Sequence, residues 1–551
     1  MKICLPSRSQ AKAGVNLWLT LLFLFSTSCQ RAETDVEKGT RLQILHKGNG
    51  PEAQDLDPHL VNSVASLNII SALLEGLVSE DPHDLHPVPG IAERWEISPD
   101  GKTYTFHLRQ DAKWSNGEPI TTRDFVDSYR RILSPKLGSP IAYMLYPVLN
   151  AEAFNKGKID NFEQVGFRAL DERILEITLA SPTPYFLSLL NHYSWFPVHI
   201  PTIARYGPAF ERGSRWTKPG RYVGNGPFTL EEWRLNSRVR VKKNPSYWDA
   251  QTVTLNEIVF HTIDSIDVEE RAFRSGQLHV TDSIPINRID RYRRGKNPEF
   301  LRIDPYLGTY FFRVNVTRPG LDNRLVRRAL AMAIDRQAIV ERVWRGGQLP
   351  ASCFTPPNTA GYTCQASIPY DVDRARQTLA QAGYPNGRGL PPIEILFNTS
   401  ENHKLTAEAI QQMWRQNLNV NATLLNQEEK VYFDSRRTMN YQIIRSTWIS
   451  DYVDPNSFLD LWVTKGTNNQ TGWSNPDYDW LIAEASRTGD QALRSAAFQK
   501  AEALLLDEAP ILPVFFYTHA FLIRPNVKGW HPTILDHHPY KYVRLEMTKL
   551  E

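Results

Sequence analysis

The sequence predicts an α/β protein containing parallel strands. The first observation is at residues 393–425. A short apolar run at 393–397 is followed by a helical stretch with Ala407, Ile410, Trp414 and Leu418 on one face, then by a second run at 420–425. Strand, helix, strand at this spacing is a parallel crossover unit. The second is alternation of apolar and polar residues at 41–46 (RLQILH) and 103–108 (TYTFHL), the period of a half-buried strand. The third is residues 371–382, with Ala375, Leu379 and Ala382 on one helical face, Gly383 at the end and Pro385 beyond it.

Length and composition bound the rest. A chain of 551 residues has room for two to four structural units. Its 41% hydrophobic and 22% charged content is that of a globular protein. Thirty-seven prolines favour many short connections over long helical bundles. No internal repeat, low-complexity tract or heptad pattern is visible.

Residues 1–28 differ in kind. Lys2, Arg8 and Lys12 are their only charges, and they precede an apolar run at 17–25 broken only by Thr20. Ser26, Thr27, Ser28 and Cys29 follow. A basic start, a short apolar core and a small-residue exit describe a secretory leader, and the run is shorter than the ~20 residues a bilayer crossing needs. The small residues before Cys29 resemble a bacterial lipoprotein processing site, with Ser26 where that pattern has leucine. The resemblance implies lipidation at Cys29 and a polar tether over 29–40. The leader also carries the formal charge of +3, so the remainder is close to neutral and gives no support to a nucleic-acid partner.

With Cys4 in the leader and Cys29 at its exit, Cys353 and Cys364 remain, in a loop rich in Pro, Asn, Thr and Gly. In an oxidising compartment the pair reads as a disulfide, stabilising by roughly 3 kcal/mol in the chain-entropy model.

Enzyme signatures fail in turn. There is no G-x-S-x-G elbow, no H-E-x-x-H helix and no C-x-x-C. Gly101-Lys102-Thr103 lacks the glycine of a phosphate-binding loop at Glu96, and Gly224-Asn225-Gly226 runs into Pro227 instead of a third glycine. His83 with His86, and His537 with His538, sit in loops without ordered ligand spacing and read as surface histidines. No catalytic residue, metal or cofactor is expected.

Several stretches together resemble the periplasmic oligopeptide-binding proteins of ABC importers, within the extracellular solute-binding protein family 5. They are Leu56-Asp57-Pro58-His59; the run at 92–133; Gly224 to Phe228 with Trp233; Asn244-Pro245-Ser246-Tyr247-Trp248; and Asn315, Asp322 and VRRALAMAIDR at 326–336. Read physically, the longest is scaffold: Trp114 is large enough to anchor a lobe, and Thr121 or Thr122 can cap the helix near Asp124. The resemblance implies a two-lobed, periplasmic-binding-protein-like fold of the large type II class, with ligand enclosed by hinge closure. It divides the chain into 41–74, 203–307 and 519–551 for lobe I, 75–202 for an extra subdomain of that lobe, and 308–518 for lobe II.

The polar residues densest at presumed strand ends are Asn398 to His403, Arg436 and 445–455, where ligands of open α/β folds gather. A free peptide carries an ammonium and a carboxylate, and enclosing it requires a partner for each. By resemblance, Asp451 meets the ammonium, and Arg445, Arg436 and His403 meet the carboxylate, guanidinium groups offering two parallel donors. Ser446, Thr447 and Ile449 are expected to pair with the ligand backbone as an added strand, and Trp448 to wall a side-chain pocket. Asn62 stands where family members carry an acid. The expectation is a bacterial binding protein in the periplasm or at the cell surface, monomeric, touching the membrane only through its lipid. It captures peptides of roughly two to five residues for an ABC permease. Cell-wall (murein) peptides are the alternative on the same clamps, and an exported peptidase is a third reading without a recognisable nucleophile. Nickel and haem binders on this scaffold are disfavoured by Asp451 and Arg445.

Overall fold

The computed structural model describes residues 32–547; the leader and Cys29 lie outside them. The chain folds into two α/β lobes, each around its own sheet. In lobe I, Ile44–Gly48 pairs in parallel with Glu257–His261, and Arg238–Lys243 and Phe228–Arg234 continue the sheet antiparallel. A second four-stranded antiparallel sheet, Ala92–Ile97, Thr103–Leu108, Ile174–Thr178 and Phe167–Ala169, is built on the same lobe. It has no separate core: Phe106, Trp114 and Trp195 belong to the same buried cluster as Leu45 and Phe260.

Lobe II carries a six-stranded mixed sheet in the order Leu349–Pro350, Ile511–Leu522, Leu301–Val314, Ile443–Ile449, Ile393–Asn398, Ala422–Gln427. The crossover unit expected near residue 400 is present. Ile393–Asn398 and Ala422–Gln427 are parallel and joined by the helix Glu401–Leu418, which buries Ala407, Ile410, Trp414 and Leu418. The helix Val372–Gln381 is capped by Asp371, and Gly383 follows at φ +95.

Two long strands join the lobes. Leu301–Val314 and Ile511–Leu522 pair antiparallel from Leu301↔Leu522 to Arg313↔Ile511, with irregularities between Pro305 and Thr309 and between Tyr310 and Phe311. At one end Leu522 packs with Phe273 and Leu278 of lobe I. At the other, Phe312 and Phe515 lie in the core of lobe II.

The recognisable motifs are joints of lobe I. Arg131 donates to both carboxylate oxygens of Asp57, at 3.0 and 2.5 Å, and reaches His59 Nδ1 at 2.8 Å. Trp216 Nε1 adds a third donor to Asp57 at 3.1 Å. This buried network ties the L-D-P-H turn to the helix Thr122–Leu133. Glu75 is a second joint: Tyr247 Oη and Trp248 Nε1 donate to its oxygens at 2.6 Å each, and Lys541 lies at 3.5 Å. Asn225 pairs with the backbone of Glu75, and Gly226 passes so close to Leu73 that a Cβ would stand 2.6 Å from its carbonyl carbon.

Four expectations need correction. The polar stretch read as a tether is helical from Asp35 to Leu42. Thr34 and Glu37 form a reciprocal cap, and Val36, Gly39 and Thr40 are buried. The first strand therefore starts at Ile44, not at residue 41. Cys353 and Cys364 are not joined in the structure, although their Sγ atoms lie within 4.8 Å of each other. Each Sγ is directed at a backbone carbonyl, of Thr355 and Ala366, and the nearby Glu502 is already occupied by the amides of Phe354 and Thr355 and by Tyr362 Oη. Finally, His538 and His537 are part-buried, against Asp536 and Glu80 respectively, so neither is a surface histidine.

Removing one partner of a buried ion pair leaves the other uncompensated, at about 3–5 kcal/mol. Arg131→Ala is expected to lower the unfolding free energy by that amount, read as a lower urea midpoint at constant slope. A loss below about 1 kcal/mol would show that Asp57 finds other support.

Candidate functional site

The site is built on the strand Ile443–Ile449. One flank pairs with Leu301–Val314 along its whole length, Ile443↔Val314 through Ile449↔Gly308. The other flank is covered by Ile393–Asn398 only at Ile443 and Ile444. Beyond that point, among the described residues, no strand covers the edge from Arg445 to Ile449. An open edge is a row of unpaired backbone donors and acceptors ready for an added strand.

Arg445 stands where the cover ends. Its side chain is buried, and its contacts are weak and neutral: Nη1 to Asn398 Oδ1 at 3.4 Å, Nη2 to Tyr517 Oη at 3.3 Å, and the face of Tyr310 at 4.8 Å. Among the described residues its Nε has no partner, nor do the buried hydroxyls of Ser446 and Thr447. Burial works against its charge, but the phenols of Tyr310, Tyr517 and Tyr432 outweigh it and hold the guanidinium protonated. His403, in the first turn of Glu401–Leu418, reaches Tyr310 Oη through Nδ1 at 3.3 Å. Burial, and then the charge of Arg445, push its pKa down to about 3, so it serves as a neutral hydrogen-bonding group rather than a second cation. Arg436, on the helix Glu429–Arg437, lies over Phe433 at 4.9 Å with Nε unpartnered. Tyr432 connects it to the strand, donating to Arg445 O at 2.6 Å. This end of the edge is therefore basic, and no carboxylate pairs with Arg445 or Arg436 among the described residues.

Asp451 occupies the turn at the other end. Its side chain is solvent-exposed, yet the protein around it raises its carboxyl pKa to about 6, with His537 pulling the other way. No ion pair or hydrogen bond holds the carboxylate among the described residues. It faces lobe I: the phenols of Tyr143 and Tyr193, and Tyr306 on the crossing strand, all feel its charge. Tyr193 Oη donates to Val61 O at 3.1 Å, next to the exposed Asn62 and Val64. Trp448 is half-buried, its Nε1 directed at Ser457 Oγ at 3.5 Å. Ile449 packs on the backbone of Gly308, leaving no room for a Cβ there.

The structure thus gathers Arg445, Arg436 and His403 at one end, Asp451 at the other, and Ser446 to Ile449 between them. It adds groups that sequence reasoning missed. Tyr310 and Tyr517 flank Arg445 beside Asn398, which was already among the polar candidates. A cavity of about 110 Å³ in lobe I is lined among others by Glu80, Asp282, His519, Asp536, His537 and His538. His537 Nδ1 lies 3.0 Å from Glu80 Oε1, and Asp536 bridges His519 at 2.9 Å and His538 at 3.0 Å. These residues come from distant segments, so no local pattern could have grouped them.

An ammonium bound to Asp451 favours the ionised carboxylate, so its pKa in the complex falls below the free value of about 6. Affinity for a ligand carrying a primary ammonium is therefore full above pH ~7 and falls by up to about tenfold per pH unit below 6. In Asp451→Asn this slope should vanish, as measured by titration calorimetry between pH 4.5 and 8. An unchanged slope would place the titrating group elsewhere.

The profile of the bacterial extracellular solute-binding proteins, family 5 Middle, matches residues 86–470. The chain is 37% identical over 508 residues to a periplasmic oligopeptide-binding protein, OppA, of Escherichia coli, covering 90% of this chain and 92% of that one. It is 35% identical over 531 residues to the periplasmic murein peptide-binding protein MppA of the same organism, covering 94% and 96%. The structure of Haemophilus influenzae OppA in complex with RPPGFSPFR superposes with a TM-score of 0.75 at 33% identity, covering 91% of this chain and 99% of that one. The chain therefore belongs to the bacterial extracellular solute-binding proteins of family 5.

Proposed function

We propose that this protein binds short peptides in extended form between its lobes and hands them, uncleaved, to an ABC import permease. The observation that carries the reading is the open edge from Arg445 to Ile449 with an unpaired guanidinium at one end and an unpaired carboxylate past the other. Five residues lie between Arg445 and Asp451, six Cα steps and about 20 Å of extended chain. A peptide lying along the edge brings a carboxylate to the first and an ammonium to the second. The relatives named as oligopeptide-binding proteins support the same assignment. In this reading Asp451 holds the ammonium, Arg445, Arg436 and His403 hold the carboxylate, backbone groups of 446–449 pair with the ligand, and Trp448 walls a side-chain pocket.

The lobe I cavity favours a second reading. Carboxylates, imidazoles and lysines share its wall, so it offers partners for an amphoteric side chain such as the diamino acid of a murein peptide. The likeness to a murein peptide-binding protein points the same way. In either case residues 41–74, 203–307 and 519–551 make lobe I, 75–202 its subdomain and 308–518 lobe II. The monomer is exported and anchored through a lipid on Cys29. Cys29→Ala is expected to release the protein from membranes into the soluble exported fraction; identical fractionation of variant and parent, with no lipid on either, would remove the anchor.

Truncating one partner of a desolvated charge pair costs about 2–5 kcal/mol, roughly 30- to several-thousand-fold in affinity. Asp451→Ala should weaken free-amine peptides by that factor in calorimetry, and N-acetylation should weaken parent binding similarly. The two together should cost much less than their sum, because they delete one interaction. Mass spectrometry should recover the peptide whole. Equal affinity of the parent for free and acetylated peptides would end Asp451's role, and steady cleavage would make the protein an enzyme.

A further inference from the structure

Tyr452 directly follows Asp451 and crosses between lobes. Its chain neighbours Val453 and Trp448 pack on a lobe II cluster, whereas its own ring packs on the lobe I core. There it stacks on Tyr185, with centroids 4.7 Å apart and planes 15° apart. Tyr185 is fixed from its own side by Phe186, which is wholly buried in lobe I. Asn456 Nδ2 lies 3.3 Å from Tyr185 Oη and 3.3 Å from Asp460 Oδ2, a second link between the lobes. The turn itself is held rigidly by lobe II: Arg494, buried, donates to both oxygens of Asp454 at 3.0 and 2.8 Å.

These contacts differ from ordinary packing in what they flank. Asp451 immediately precedes the stacked ring of Tyr452, and among the described residues its carboxylate has no partner of its own to orient it. A carboxylate at a turn is aimed by its backbone. The backbone of this turn is fixed at Asp454 from one lobe and at Tyr452 from the other. Separation of the lobes removes the second support, because Tyr185 moves away with lobe I.

We infer that Tyr185 is a positioning residue for the ammonium site, acting through Tyr452 so that Asp451 is aimed only when the lobes are together. The inference rests on the peptide reading above for its ligand, but the cross-lobe stack can be tested without one. An offset aromatic pair and a neutral hydrogen bond together are worth roughly 5- to 100-fold in an equilibrium constant. This equilibrium multiplies the intrinsic affinity, since a ligand binding the closed form bears the cost of populating it.

The test compares the parent with Tyr185→Ala, Tyr185→Phe and Asn456→Ala, using trialanine and N-acetyl-trialanine as probes. Small-angle X-ray scattering reads the radius of gyration with and without peptide, and calorimetry reads Kd. Tyr185→Ala should enlarge the free protein, return to the parent's radius at saturating trialanine, and raise the Kd for trialanine roughly 5- to 100-fold. It should raise the Kd for the acetylated probe less, since that probe does not use Asp451. Tyr185→Phe retains the ring and should restore most of the affinity. Asn456→Ala, which leaves both rings in place, keeps the test usable if Tyr185→Ala unfolds early in a thermal melt. An unchanged radius in Tyr185→Ala, or equal losses for both probes, would overturn the inference. If the parent binds neither probe, the peptide reading fails, and the radius alone then decides whether the stack holds the lobes together.

Discussion

A guanidinium in protein interior without a carboxylate is costly, and so is a desolvated carboxylate without a cation. Here a buried guanidinium is matched by an exposed carboxylate that enclosure around a ligand would desolvate, and the two cannot neutralise each other. Arg445 and Asp451 belong to the same stretch of chain, and the β geometry of Ile443–Ile449 holds them apart. Phenols and an amide stand in around Arg445 as weak neutral partners. Asp451 responds instead by a raised pKa. The separation set by the strand thus defines the ligand the site can satisfy: an extended molecule of the right length with opposite charges at its two ends.

The rest of the fold protects that separation. The site strand is bonded along its whole inner flank to Leu301–Val314, the longest strand of the sheet, which also carries the connection to lobe I. Shifting the site strand by one residue would turn Arg445 to the opposite face. Lobe I supplies the other wall, and its geometry rests on Asp57 with Arg131 and on Glu75 with Tyr247 and Trp248. Glu75 follows the helix Val64–Leu73, and Val64, Leu67 and Asn68 of that helix line the lobe I cavity with it. Joints far from the ligand therefore decide how lobe I meets it.

Much of this was legible in the sequence because it is local. The parallel crossover at 393–427, the strand Thr103–Leu108 and the capped helix after Thr121 follow from periodicity and turn chemistry, and all three are present. The same local reading failed where a single residue type has two uses. Residues 30–39 are polar enough for a tether, but the spacing of Thr34 and Glu37 caps a helix whose small residues bury against lobe I. His537 and His538 look like loop histidines until Glu80 and Asp536 arrive from elsewhere. Arg445 and Asp451 were reachable only through resemblance: a lone arginine or aspartate in sequence says nothing about lacking a partner. That property appears only once the sheet shows which edge is left uncovered.

Closure and charge are linked in this arrangement. Burial raises the carboxyl pKa of Asp451 against the pull of His537, and Tyr143 and Tyr193 of lobe I stand within range of its charge, so the carboxylate is less at ease with the lobes together than apart. An ammonium relieves that condition only in the closed form, where water no longer competes for it. The interaction is therefore stronger in the closed form than in the open one, which is the requirement for a ligand to shift an equilibrium between them. A ligand lacking the ammonium would leave the closed form with an unpaired, partly protonated acid and gain little from closing. Selection for a charged terminus and selection for the closed shape are then one free-energy difference, expressed at a single carboxylate.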